Sequence, residues 1–132
     1  MTTALICVAL LGLLLFGLGF SVSIVRGQTE TLTGSSDDPA DRLQQLVRAH
    51  GNTAEYAPMI ALLIFILGSM SPATWMLWVM GIATASRYLI VAGLLAGTME
   101  RPHPLRFTGA LGTYLSGIAL CVAACQSAFA AA

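Results

Sequence analysis

Arg48-Ala49-His50-Gly51-Asn52-Thr53-Ala54-Glu55-Tyr56-Ala57-Pro58 runs without a break into Met59-Ile60-Ala61-Leu62-Leu63-Ile64-Phe65-Ile66-Leu67. The apolar half is too short to cross a bilayer, because a spanning helix needs about 20 residues. A helix ending near Met70 therefore begins near Gly51, which draws Asn52 and Glu55 into the hydrocarbon and leaves Arg48 at its edge. Polar and charged groups at that depth are expensive and are kept where they face a polar cavity or a pathway. This stretch predicts both a membrane-spanning fold and the place to look for function.

Outward from it, the rest of the chain has the same character. Of 132 residues, 57% are hydrophobic and 9% charged, against roughly 25% charged in a soluble domain. Four apolar segments are expected to be transmembrane helices, about 4–25, 43–70, 72–97 and 105–128. The fold class is an all-α integral membrane four-helix bundle of up-down topology, one domain over residues 1–132. The first segment lacks a basic leader and is longer than a signal-peptide core, so it is expected to be a retained span. The loop from Arg26 to Arg42 is rich in Gly, Ser, Thr and Asp and is expected to be mobile. Gly68 to Pro72 is expected to be a tight uncharged turn. Glycines at 12, 17 and 19 in the first helix and 109, 112 and 117 in the fourth would permit close helix contact.

Arginine placement predicts orientation. Arg26, Arg42, Arg48, Arg101 and Arg106 all flank the loops after the first and third helices, and none lies near the turn between the second and third. By the positive-inside rule these two loops face the cytoplasm and both termini lie outside. A bacterial inner membrane is the expected location. Net charge is zero and there is no basic run, so nucleic acid is not an expected partner. The cysteines at 7, 121 and 125 form no metal pattern and are expected to be small buried hydrophobes. No metal is expected.

On the second helix Arg48, Asn52 and Glu55 follow i, i+4, i+7 spacing with Tyr56 beside them. They can line a binding cavity, or Arg48 and Glu55 can be a structural pair that only holds the bundle. His50 is offset to another face. Arg87 falls near the middle of the third helix, where an arginine costs at least about 2.5–3.5 kcal/mol unless solvated or paired. Glu55 is its expected partner, either as a clasp or in joint use on a charged ligand. Arg101 is the arginine best placed to meet a ligand from the cytoplasmic side. Arg106 is as well explained as a topology anchor, and His103 as a solvated loop residue. Such a cavity suits a small ligand with separate carboxylates and an amine, meeting a lipophilic partner from the bilayer.

Arg-Ala-His-x-Asn-x-x-Glu at 48–55, followed by Tyr56 and Pro58, resembles the signature of the membrane-associated proteins in eicosanoid and glutathione metabolism. Arg87 with Gly93 six residues later extends the resemblance, which covers essentially the whole chain. It implies a homotrimer that holds glutathione between adjacent subunits near the cytoplasmic face and conjugates it to lipophilic electrophiles. The residues it assigns to glutathione are Arg48, His50, Asn52, Glu55, Tyr56, Arg87 and Tyr88. It assigns thiolate stabilisation to Arg101 and a catalytic position to Arg26. Two departures stand out: where eukaryotic members usually carry tyrosine or histidine this chain has Ile90, and where some carry another tyrosine it has Leu94. These favour a second function class, a non-catalytic membrane protein that binds a lipid or a partner.

Overall fold

The computed structural model describes residues 1–35, 37–96 and 102–130. Four helices account for nearly all of them: α1 (Thr2–Gln28), α2 (Arg42–Ser69), α3 (Thr74–Leu95) and α4 (Pro104–Ala130). Each is long and apolar enough to cross a membrane. The outward faces carry Phe16, Phe20, Trp78, Leu115 and Ile118, all exposed. Apolar side chains at that density on the surface are suited to lipid, not water.

Local chemistry sets the ends of the helices. Asp41 is the N-cap of α2, its carboxylate accepting from the Gln44 backbone N–H at 2.8 Å. That bond satisfies one of the donors orphaned at a helix start. Arg26, in the last turn of α1, donates from Nη1 to the carbonyls of Thr31 at 3.4 Å and Leu32 at 3.0 Å, folding the departing chain back onto the helix. Between α2 and α3 the chain turns at Met70–Ala73, with Ser71 in the left-handed region at φ 54. α2 continues through Pro58, whose missing N–H leaves one carbonyl of the preceding turn without its intrahelical donor.

Among the described residues α3 and α4 make the most extensive contact, followed by α1 and α2; α2 and α3 form the inner pair, and α1 and α4 do not meet. The tightest approaches use glycine. A Cβ on Gly93 would come within 2.7 Å of the Arg106 backbone N, and one on Gly109 within 2.7 Å of the Ile90 N and 2.8 Å of the Ser86 carbonyl oxygen. Gly112 abuts Ser86, Gly68 abuts Ala4, and Gly19 faces His50. At Gly12, Gly17 and Gly117 a Cβ would meet open space, so within the chain these three make no such contact with the described residues.

The core is divided. One apolar cluster joins Cys7 and Leu11 of α1 to Ile60, Ile64 and Leu67 of α2, Met80 of α3 and Leu120 of α4. Another joins Leu14 and Leu18 to Leu46, Ile90, Val91 and Leu94. In chain order all but one of the described buried polar residues fall between them: Thr53 on α2, Thr84, Ser86 and Arg87 on α3, Thr113 and Ser116 on α4; the exception is Gln45, near the start of α2. The hydroxyls of Thr84, Thr113 and Ser116 bond carbonyls one turn back in their own helices, so they need no partner across the bundle. Arg87 does. Of the cysteines, Cys7 is buried as expected; Cys121 and Cys125 are exposed, because their face of α4 has no helix packed on it.

Candidate functional site

Arg87 is the centre of the polar layer and is fully buried. Its Nη2 donates to the backbone carbonyl of Asn52 at 2.9 Å and to the Asn52 side-chain Oδ1 at 2.7 Å. The ring of Tyr56 sits against the guanidinium, with 5.2 Å from the guanidinium carbon to the ring centroid, within cation–π range. Nε and Nη1 have no hydrogen-bond partner among the described residues. A buried unpaired N–H is costly, and two such nitrogens on one cation mark a group prepared for an anion or for water.

The expected pairing of Arg87 with Glu55 is not what the structure has. Among the described residues its hydrogen-bond partner is Asn52. Asn52 lies on the α2 face toward α3, while Glu55, three residues further round the helix, is exposed at the edge. The stripe still faces one space. A cavity of about 780 Å3 is lined by Arg48, Asn52, Glu55 and Tyr56 of α2, by Arg87, Ile90 and Leu94 of α3, and by Arg106, Phe107, Thr113 and Tyr114 of α4. Pro102 and His103 close its rim. Three arginines and one glutamate around a space of this size suit a ligand with more than one carboxylate and an amine.

Sequence reasoning placed Arg48, Asn52, Glu55, Tyr56 and Arg87 at one site, and the structure brings all five to this cavity. Two others it sends elsewhere. His50 faces α1, its Nε2 3.2 Å from where a Gly19 Cβ would stand. Tyr88, next to Arg87 but about 100° round the helix, donates its hydroxyl to the Leu10 carbonyl of α1 at 2.9 Å. Arg26 is occupied by the carbonyls of its own loop. Arg101 lies outside the described residues. Arg106, which sequence left open between topology anchor and ligand, and His103, read as a solvated loop residue, both line the cavity.

Tyr114 and Thr113 were missed altogether. The signal available was weak: a Thr-Tyr pair inside an otherwise apolar helix. Tyr114 meets Tyr56 edge to face, ring centroids 5.8 Å apart at 65°, with hydroxyl oxygens 3.4 Å apart.

Comparison with known proteins agrees with the helix-2 motif. The chain is 34% identical over 63 residues to "Inner membrane protein YecN" of Escherichia coli strain K12, 48% of each chain being covered. The same figures hold for the protein of that name from Escherichia coli O6:H1. The chain thus spans about half the length of the curated relatives it matches. No solved structure matches. A family profile described as "MAPEG family" matches residues 4–125, nearly the full length and all the cavity-lining helices, and the chain, a multi-pass membrane protein, belongs to the MAPEG family.

Proposed function

We propose that this protein is a membrane-bound glutathione transferase or peroxidase that conjugates glutathione to lipophilic electrophiles. The observation that carries the reading is Arg87: a buried cation in a polar cavity, two of whose three guanidinium nitrogens have no protein partner among the described residues. In this reading the glutathione carboxylates dock on Arg48 and Arg87, and the amine on Glu55. Arg101 places positive charge beside the sulfur and raises the thiolate fraction that reacts. The protein is a homotrimer of up-down bundles. Helix neighbours that run opposite in sequence, such as Gly93 with Arg106 and Gly109 with Ile90, support the up-down part. Glutathione lies between subunits, near the cytoplasmic side of a bacterial inner membrane, with both chain termini outside; of this, the name of the Escherichia coli relative supports the inner membrane.

The test is conjugation of a chromogenic electrophile by the purified protein, with Arg101→Ala alongside. A large loss of rate in the variant is expected, and equal rates would remove Arg101 from the mechanism. A second reading, a non-catalytic lipid- or partner-binding protein, is favoured by Ile90 and Leu94, which line the cavity with no hydroxyl. Calorimetry separates the two, since tight glutathione binding without turnover supports the second.

A further inference from the structure

Arg87 lines the polar cavity, yet its relative exposure is 0%. Its Nε and Nη1 have no partner among the described residues and are buried with it. A carboxylate arriving in the cavity therefore finds the cation covered. The guanidinium lies over the ring of Tyr56, 5.2 Å from its carbon to the ring centroid. Tyr56 is partly buried and lines the same cavity, so an aromatic ring rests on a group that still has hydrogen bonds to give.

The ring is held only lightly. Its hydroxyl shares a hydrogen bond with Tyr114 of α4 at 3.4 Å, long for two hydroxyls, which usually sit about 2.7–2.8 Å apart. The two rings also meet edge to face, centroids 5.8 Å apart. There is room for the ring to turn: Tyr56 and Tyr114 border an opening of about 830 Å3 between α2 and α4. A helical tyrosine has two common χ1 wells, so the ring can change position without disturbing α2.

We propose that Tyr56 is a gate over Arg87, latched by its hydroxyl bond to Tyr114. The inference rests on the glutathione reading and adds the step by which that ligand reaches the buried arginine. With the gate closed, the electron-rich ring face meets the charge of the guanidinium. With the ring turned aside, Nε and Nη1 face the cavity and take up a carboxylate. The ligand bonds Arg87 in the open state alone, so binding shifts the population toward it. The measured affinity is lowered by the fraction open at rest. Tyr114 acts through Tyr56, as a positioning residue that sets this fraction.

The experiment measures how fast phenylglyoxal, an arginine-selective dicarbonyl, modifies Arg87 in the purified protein in detergent, the modified residue being mapped by mass spectrometry. Wild type is compared with Tyr114→Phe, which keeps the ring and removes the latch, and with Tyr56→Ala, which removes the gate. Loss of one weak hydrogen bond is expected to raise the Arg87 rate about two- to tenfold in Tyr114→Phe; Tyr56→Ala raises it further. Arg42, exposed and outside the cavity, is the internal reference. In calorimetry Tyr114→Phe is expected to bind glutathione more tightly by the factor by which its Arg87 rate rises, whereas a merely structural lesion weakens binding. An Arg87 rate equal to wild type, or weaker glutathione binding, in Tyr114→Phe overturns the latch. An unchanged rate in folded Tyr56→Ala overturns the gate, and if that variant loses its helical circular dichroism, Tyr114→Phe decides alone. Arg87 rates as expected in a wild type that binds no glutathione overturn the glutathione reading and leave the gate standing.

Discussion

Replacing Arg87 by methionine separates a cation kept for a ligand from a cation kept to clasp helices. Two charge-assisted bonds to Asn52 are lost, each contributing about 1.5–3 kcal/mol. Against this, the two unpartnered donors Nε and Nη1 disappear, relieving about 1–3 kcal/mol each. The opposing sums nearly cancel, so without ligand Arg87→Met is expected to change stability by less than about 2 kcal/mol. A pure clasp has its donors satisfied by protein and gets no such relief, so its loss would cost about 3–6 kcal/mol. The assay is reversible unfolding in mixed detergent micelles, followed by helical circular dichroism and by Trp75 and Trp78 fluorescence. Glutathione at a hundred times its Kd stabilises a binding protein by about 2.7 kcal/mol, and that increment is expected in wild type and absent in Arg87→Met. A loss above about 4 kcal/mol with the glutathione increment intact would refute the reasoning, since it lies well beyond the near-cancellation of gained and lost bonds.

Three further outcomes follow from single contacts. Gly109→Ala forces a Cβ to within 2.7 Å of the Ile90 backbone; overpacking of this kind costs about 1–3 kcal/mol, visible as a lower unfolding midpoint in detergent. Asp41→Ala removes the cap on α2 and is expected to cost about 1 kcal/mol, with faster amide hydrogen exchange confined to the first turn of that helix. Glu55→Gln keeps the shape of an exposed side chain and should leave the unfolding midpoint within about 0.5 kcal/mol of wild type while weakening glutathione binding by calorimetry; unaltered affinity would remove the carboxylate from the site.

Much of the bundle was legible because membrane insertion is decided by local composition. Four apolar runs each long enough to span, and a polar stripe at helical spacing on the second, can be read without knowing what packs on what. The stripe Arg48–Asn52–Glu55 shares one cavity because spacing along a single helix fixes a common face. Arg87 was legible for a related reason: a charge in the middle of an apolar helix must find company.

Which company it found was not legible. Partners across helices depend on the rotation and depth at which two helices dock, and glycine contacts such as Gly93 with Arg106 and Gly109 with Ile90 set that docking for α3 and α4. On charge alone Glu55 was the natural partner of Arg87; the observed rotation of α2 offers Asn52 instead and leaves Glu55 at the rim. The same packing turned His50 and Tyr88 toward α1 and brought Tyr114, a residue with no motif around it, to within 3.4 Å of Tyr56. Sequence alone determined that the chain is a membrane helix bundle with a polar site on its second helix, because hydropathy and helical periodicity belong to each segment by itself. Only the tertiary structure decided which side chains meet in that site, because distances between helices arise from packing that no single segment encodes.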